Sequence, residues 1–315
     1  MICWNKIARD FGRINPVSNI YPVSTKRSVK QITTCLLCVF SWLLTATSGA
    51  PALHAADPST DFGSLQHRLI KDGFRPAKIH RIYQKPGVAF EAKGVSLFFV
   101  HRESKLNYGQ FTDRESLASA RAYMKERGEA LARAEADYGV DKHVITAILL
   151  VESRFGKYIG KRSAFNTLST MAALTDPEVR KNFWEYMTQD NRISRKRFEQ
   201  KADRKSRWAY RELKALLKYA AHEGLDPVAI KGSYAGAVGL PQFMPSNILK
   251  YGGDGDQDGV INLETHADAV ASIAKYLKGH GWRPGLTRKN AKKVIYRYNH
   301  SSYYVNTILK IAGQL

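Results

Sequence analysis

Between Arg114 and Pro177 the chain contains no proline. Apolar residues in that stretch recur at helical spacing, so it lacks the strongest breaker and reads as a succession of helices. Residues from about Arg114 to Asp137 form one helix, ended near Gly139; Asp141 then stands as N-cap of a second, short and very apolar, with Val144, Ile145, Ile148, Leu149 and Val151. A third is expected from about Pro177 to Gln189. A fourth, around Trp208 to His222, places Leu213, Leu216, Leu217 and Ala220 at i, i+3, i+4 and i+7 with Gly224 as its stop. A fifth, from about His266 to Lys278, repeats the spacing with Val270, Ile273, Ala274 and Leu277 before Gly279. The expected architecture from residue 112 to the C-terminus is mainly α. Ahead of it, residues 57–111 read as a small α+β segment, because Val95 to Val100 (VSLFFV) is a β-rich run between turn-like stretches at Lys85-Pro86-Gly87 and Lys105 to Gly109. The basic run Arg192 to Arg207 reads as a solvated face or loop.

The three cysteines are Cys3, Cys35 and Cys38. The body of the chain therefore holds no disulfide framework, thiolate metal site or cysteine nucleophile. Around Cys35, the cations Lys26, Arg27 and Lys30 precede an uncharged run from Gln31 to Thr47 and then small residues, SGAPALHAAD. This is the pattern of a Sec-type signal peptide over residues 1–56, with cleavage after Ala52, Ala55 or Ala56. The strongly apolar part, Ile32 to Ala46, is shorter than the roughly 20 residues a spanning helix needs. Export to the periplasm is expected, with membrane association if the signal is retained. Beyond residue 56 the chain has 43 Lys and Arg against 27 acids, net +16. Such a field favours polyanionic partners. For an exported chain with no nucleic-acid recognition module, those are envelope polymers or membrane surfaces, not nucleic acid.

Glu152 ends the apolar helix, and its i−3, i−4 and i−7 neighbours are Leu149, Ile148 and Ile145. A carboxyl on an apolar face is desolvated, which raises its pKa as a general acid working near neutral pH requires. The alternative is a structural Glu paired with Arg154 or Lys157. The segment GSYAGAVGLPQFMPS, residues 232–246, combines small residues with Tyr234, Gln242 and Phe243. No phosphate-binding glycine pattern is present. Either the segment makes a tight helix crossing, or its polar and aromatic groups line a groove for sugar rings, which need hydrogen bonds at their edges and apolar contact on their faces.

Taken in order, VESRFGKYIG around Glu152, AFNTLST at 164–170, GSYAGAVGLPQFMPS and the closing RYNHSSYYV resemble the lytic murein transglycosylase B family of bacterial cell-wall enzymes. The similarity runs from about Tyr108 to the C-terminus. The resemblance implies a lysozyme-like α domain that cleaves the β-1,4 bond between N-acetylmuramic acid and N-acetylglucosamine without water, leaving a 1,6-anhydro sugar. It implies Glu152 as the single catalytic acid, then base, and Ser233, Gln242, Tyr298, Asn299 and Tyr304 as residues of the substrate cleft, to which the groove reading of residues 232–246 adds Phe243. It implies no catalytic cofactor, and glycan strands as the partner of an expected monomer. The sequence departs from the family at Tyr234, where Trp is common, and at Leu240-Pro241, where Tyr-Gly is frequent. The rival readings are a hydrolytic muramidase on the same fold, which often uses a second carboxylate, and a non-catalytic wall-binding protein.

Asp254, Asp256, Asp258, Gly259, Val260 and Asn262 follow the first nine positions of an EF-hand loop, with the Val260 carbonyl at position seven. Position twelve is Thr265 instead of the bidentate Glu, so the closing ligand must be Glu264 or Asp268; the family resemblance favours Asp268. The alternatives are a structural calcium ion and an ion-free acidic turn. The tryptophans Trp184, Trp208 and Trp282 read as core.

Overall fold

The computed structural model describes residues 62–100, 107–188 and 193–315. The expected signal peptide lies outside the described residues. The described residues fold into thirteen α-helices, with one 3₁₀ turn at Tyr108–Phe111. Three helices come first: α1 (Gly63–Lys71), α2 (Pro76–Tyr83) and α3 (Ala92–Val100). Then follow α4 (Arg114–Glu126), α5 (Gly128–Tyr138), α6 (Lys142–Ser153), α7 (Ala164–Ala173), α8 (Pro177–Thr188) and the long α9 (Arg195–His222). The series closes with α10 (Pro245–Tyr251), α11 (His266–Gly279), α12 (Arg288–Tyr298) and α13 (Ser302–Ala312). The only sheet among the described residues is a two-residue antiparallel ladder, β1 (Arg162–Ser163) on β2 (Lys231–Gly232). No described helix is long and apolar enough to cross a membrane.

The expected strand at Val95 to Val100 is instead helix α3. Its aromatic and β-branched residues favour a strand by propensity, but a strand needs a partner for its backbone groups, and the ladder's two short strands lie elsewhere in the chain. As a helix, α3 puts Val95 and Phe99 on one buried face. Phe99 packs against Phe183 of α8 and Phe198 of α9 at ring-centroid distances of 5.6 and 5.5 Å. The described residues of the segment expected to be α+β therefore hold helices, a 3₁₀ turn and loops, and no strand. The single helix expected over Arg114 to Asp137 is two, α4 and α5, because Arg127 leaves the helical region at φ −110°, ψ 24° and Gly128 follows it. From Arg195 the basic run belongs to α9: Phe198, Ala202 and Ser206 at i, i+4 and i+8 are buried while Arg195, Lys196, Arg197, Arg204 and Arg207 are exposed. Its acids pair locally, Glu199 with Arg195 and Arg180, and Asp203 with Arg180.

One hydrophobic cluster runs from Phe62 to Ile311 and includes every helix of the N-terminal segment. That segment is sewn to the wholly buried α7, where the Tyr83 hydroxyl meets Ser169 at 3.0 Å and Asn166 donates to the Gly87 carbonyl at 2.8 Å. Trp282 is buried, and Trp184 and Trp208 pack half-buried on the core, as the composition led one to expect.

Lys205 on α9 places its ammonium 2.9 Å from the centroid of the Phe98 ring. Burial, and then the neighbouring cations Lys201 and Arg204, lower its pKa to about 7. The ring face favours the ammonium, but by less than desolvation disfavours it. A lysine lowered in the folded state releases its proton there while the unfolded chain keeps it to about pH 10.4. The wild type therefore gains stability as pH rises from about 7 to 10. Lys205→Met is expected to melt above wild type at pH 6, with the difference closing by pH 10. An equal difference at both values in calorimetry would reject this account.

Candidate active site

Helix α6 begins where Asp141 accepts the His143 backbone N–H at 2.8 Å, and every residue from Val144 to Ser153 is buried. It stops just after Glu152 because Arg154 and Phe155 both take left-handed backbone, at φ 47° and 59°. The Ser153 hydroxyl then accepts the Gly156 N–H. Glu152 thus lies in the last turn of a buried helix, and its side chain is 0% exposed. The Arg154 guanidinium turns to Ser116, Gln110 and the Phe111 ring. The partner comes from the C-terminus: Tyr304 on α13 donates its hydroxyl to Glu152 Oε1 at 2.8 Å. Tyr298, at the end of α12, is buried nearby, and its rings and those of Tyr304 lie parallel with centroids 6.3 Å apart. Burial, and next the Glu152 charge, hold the Tyr298 phenol far above its ordinary range. That phenol donates to the Pro241 carbonyl at 2.7 Å, tying α12 to the 232–246 loop.

The loop is built on close backbone approaches. Isolated bridges link Gly232 with Val238 and Val238 with Phe243, folding the chain back on itself twice. At Gly239, φ is +69°, and a Cβ would collide with the backbone of Leu263, so only glycine fits. Leu240 N–H in turn bonds to the Leu263 carbonyl. The Ser233 hydroxyl accepts the N–H groups of Ala235 and Ala237 at 3.2 and 3.1 Å, so it shapes the loop from within. Gln242 has left-handed backbone, φ 50°, and its amide donates to the carbonyls of Ile159 and Gly239 at 3.2 and 2.9 Å. Those bonds join the turn after Glu152 to the loop. Phe243 has no accessible surface and packs at 5.5 and 5.8 Å from Tyr276 and Tyr298. As folded, its ring is core, and the sugar contact expected of it is not available. Asn299 is buried as the C-cap of α12, with Ser301 bonded to its carbonyl.

Sequence reasoning passed over Glu212. This buried acid on α9 accepts both the N–H and the hydroxyl of Ser246 at 2.9 Å, fixing the loop's far end at the start of α10. Its only sequence signal was an acid lying next to Leu213 on the apolar stripe. Asp176, the next acid after Glu152 in the chain, is occupied at the start of α8, where it accepts the Glu178 and Val179 N–H groups and the Ser64 hydroxyl.

In the acidic loop, oxygens of Asp254, Asp256 and Asp268 converge to within 4.8 Å of one another. Asp268 is the buried member at 1% exposure, and its two oxygens accept the N–H groups of Gly255 and Asn262 at 2.7 Å each. Burial pushes its carboxyl up, those two N–H groups counter it, and the charges of Asp256 and Asp254 add to the rise. Asp258 departs from the expected set: it turns away to accept the Val260 N–H at 2.8 Å. Thr265 stands at position twelve because it caps α11, its hydroxyl accepting the Asp268 N–H. An all-oxygen set with one buried carboxylate fits a hard divalent cation.

The Transglycosylase SLT domain model matches residues 58–292, about three quarters of the chain. The membrane-bound lytic murein transglycosylase B of Escherichia coli K12 is 32% identical over 176 residues, 56% of this chain; the chain spans 41% of that relative's length. Among solved structures, soluble lytic transglycosylase SltB1 of Pseudomonas aeruginosa superposes with TM-score 0.65 at 24% identity over 80% of this chain and 96% of that one. Lytic transglycosylase Slt35 of Escherichia coli, solved in complex with calcium, gives 0.61 at 21% identity over 81% and 92%. These two likenesses establish a lysozyme-like, mostly helical transglycosylase fold. With the matched domain spanning most of the chain and the fold agreeing over four fifths of it, the chain belongs to the transglycosylase SLT domain family.

Proposed function

We propose that this protein is a lytic transglycosylase of peptidoglycan. The observation that carries the reading is the Glu152–Tyr304 pair: one buried carboxyl, aimed by a phenol from the far end of the chain, at the meeting point of α6, α13 and the 232–246 loop. In the forward step Glu152 donates its proton to the oxygen linking N-acetylmuramic acid to N-acetylglucosamine, and the C1–O bond breaks. The carboxylate then takes the proton of the muramic acid C6 hydroxyl as that oxygen bonds to C1, closing the 1,6-anhydro ring. One group serves both steps, so no water is consumed and no second enzyme carboxylate is required, unlike the paired carboxylates of most glycosidases. Gln242 and Ser233 keep the loop beside Glu152 rigid. Because Glu152 is wholly buried, binding the strand has to uncover its carboxyl.

The product decides between readings. Mass spectrometry of sacculi digested with the full chain is expected to give muropeptides lighter by one water than hydrolysis products. Reducing muramic acid ends would make it a muramidase, and no release would make it a wall-binding protein.

Asp254, Asp256 and Asp268 would hold calcium, with the loop's carboxylates neutralised and the loop tied to α11. The ion's contribution is structural. At a hundredfold excess over its dissociation constant, calcium adds about 2.7 kcal/mol, which corresponds to roughly 4 °C in Tm for a chain of this size. Asp268→Asn is expected to abolish that shift. A wild-type Tm indifferent to calcium and chelator would remove the ion from this account. We further infer export to the periplasm, on the charged and apolar pattern of residues 1–56.

A further inference from the structure

After Asp268 the chain carries nine Lys and Arg and not one acid in its last 47 residues. The structure gathers several of those cations in one place. Helix α12 buries Ala291, Val294, Ile295 and Tyr298 and leaves Lys292, Lys293, Tyr296 and Arg297 exposed. With His300 and Asn306 of the following segment, these side chains line a groove of about 610 Å³. Among the described residues no carboxylate forms an ion pair with Lys292, Lys293 or Arg297. Tyr296, 44% exposed, stands edge-on to His300 at 5.1 Å, giving the groove an aromatic wall. Lys293 and Arg297, like charges four residues apart on a helix, repel. A concave set of them without internal acids is therefore completed by an anion brought from outside.

The place of the groove points to which anion. Helix α13 presents Tyr304 inward to Glu152, while Ser302 and Asn306, two residues to either side, face the groove. The two sites thus lie on opposite sides of one helix, about 10 Å across. The path round that helix is about 16 Å, and an extended peptide of five residues spans roughly 17 Å, enough to reach from a sugar near Glu152 to the groove. We propose that the groove binds the free carboxylates of the peptide stem on the same glycan strand whose bond is cleaved at Glu152, with Tyr296 covering the stem's apolar atoms. This rests on the peptidoglycan reading above and adds stem recognition to it.

The test compares the full chain with the double variants Lys292→Glu/Lys293→Glu and Lys292→Gln/Lys293→Gln. Each is assayed on glycan strands bearing stems and on the same strands stripped of them by an amidase. Both lysines are exposed, so Tm is expected to stay at the wild-type value. Charge reversal is expected to raise KM for stem-bearing strands about fivefold, in keeping with two exposed ion pairs, and neutralisation by less. Neither variant changes kcat or the kinetics on stripped strands. Equal KM for wild type and variants on stem-bearing strands, or equal losses on both substrates, would overturn the proposal. So would a loss of co-sedimentation with phosphatidylglycerol vesicles, KM being unchanged, which would assign the basic face to lipid. If wild type releases no product from either substrate, the activity reading fails on its own. Fluorescence anisotropy of labelled stem-bearing strands on the Glu152→Gln chain then still decides the groove: weaker binding on charge reversal sustains it, and equal binding rejects it.

Discussion

Glu152→Gln is expected to lower release of soluble muropeptides from sacculi by about a thousandfold, the scale of losing a positioned general acid, while leaving the fold intact. The amide is nearly isosteric with the carboxyl, and its oxygen can still accept the Tyr304 hydroxyl now given to Glu152 Oε1. What it lacks is a proton to give to the glycosidic oxygen and a basic oxygen to take one from the C6 hydroxyl. Because one group performs both steps, the loss falls on kcat more than on KM. The measurement is initial-rate release of products by mass spectrometry, with melting temperature and sacculus binding recorded in parallel. Near wild-type release would place the chemistry elsewhere. Intact binding with no release from the wild type as well would favour the wall-binding rival.

The second large effect is on stability. Phe243→Ala is expected to destabilise the protein by about 3–5 kcal/mol, the usual cost of emptying a buried aromatic site. The ring has no accessible surface and lies among Tyr276 and Tyr298. Its backbone also exchanges two hydrogen bonds with Val238, so the cavity opens directly beneath the loop that flanks Glu152. Phe243→Leu, which refills most of the volume, should cost less than about 1.5 kcal/mol and keep KM for glycan strands. Denaturant unfolding and kinetics on the two variants separate the roles. A sugar platform would show a raised KM in Phe243→Leu with little change in stability, and that result would restore the ring to the substrate cleft.

Those predictions rest on features of unequal legibility. The helical face of α6 and its N-cap were readable because periodicity and capping are local: Asp141 needs only its own next two residues to fix the helix start. The spacing of α11 and the second half of α9 was readable for the same reason. Helix α3 was misjudged because VSLFFV carries strand propensity, and only the aromatic faces of Phe183 and Phe198, more than eighty residues away in sequence, make the helix the better burial. The first half of α9 was hidden by its charges, which conceal an apolar stripe of one residue per turn.

At the site, the sequence by itself determined the fold class, the identity of the buried acid and the gathering of carboxylates in the acidic loop. These follow from residue types at fixed spacing along one stretch of chain. The tertiary structure alone decided what surrounds them. It brought Tyr304 from 152 residues downstream onto Glu152, turned Ser233 and Phe243 inward as builders of the loop, set Glu212 under Ser246, and left Asp258 out of the acidic cluster that Asp254, Asp256 and Asp268 form. A side chain's partner depends on which helices pack together, and packing is a property of the whole apolar surface being buried at once, to which each local stretch of sequence contributes only a part.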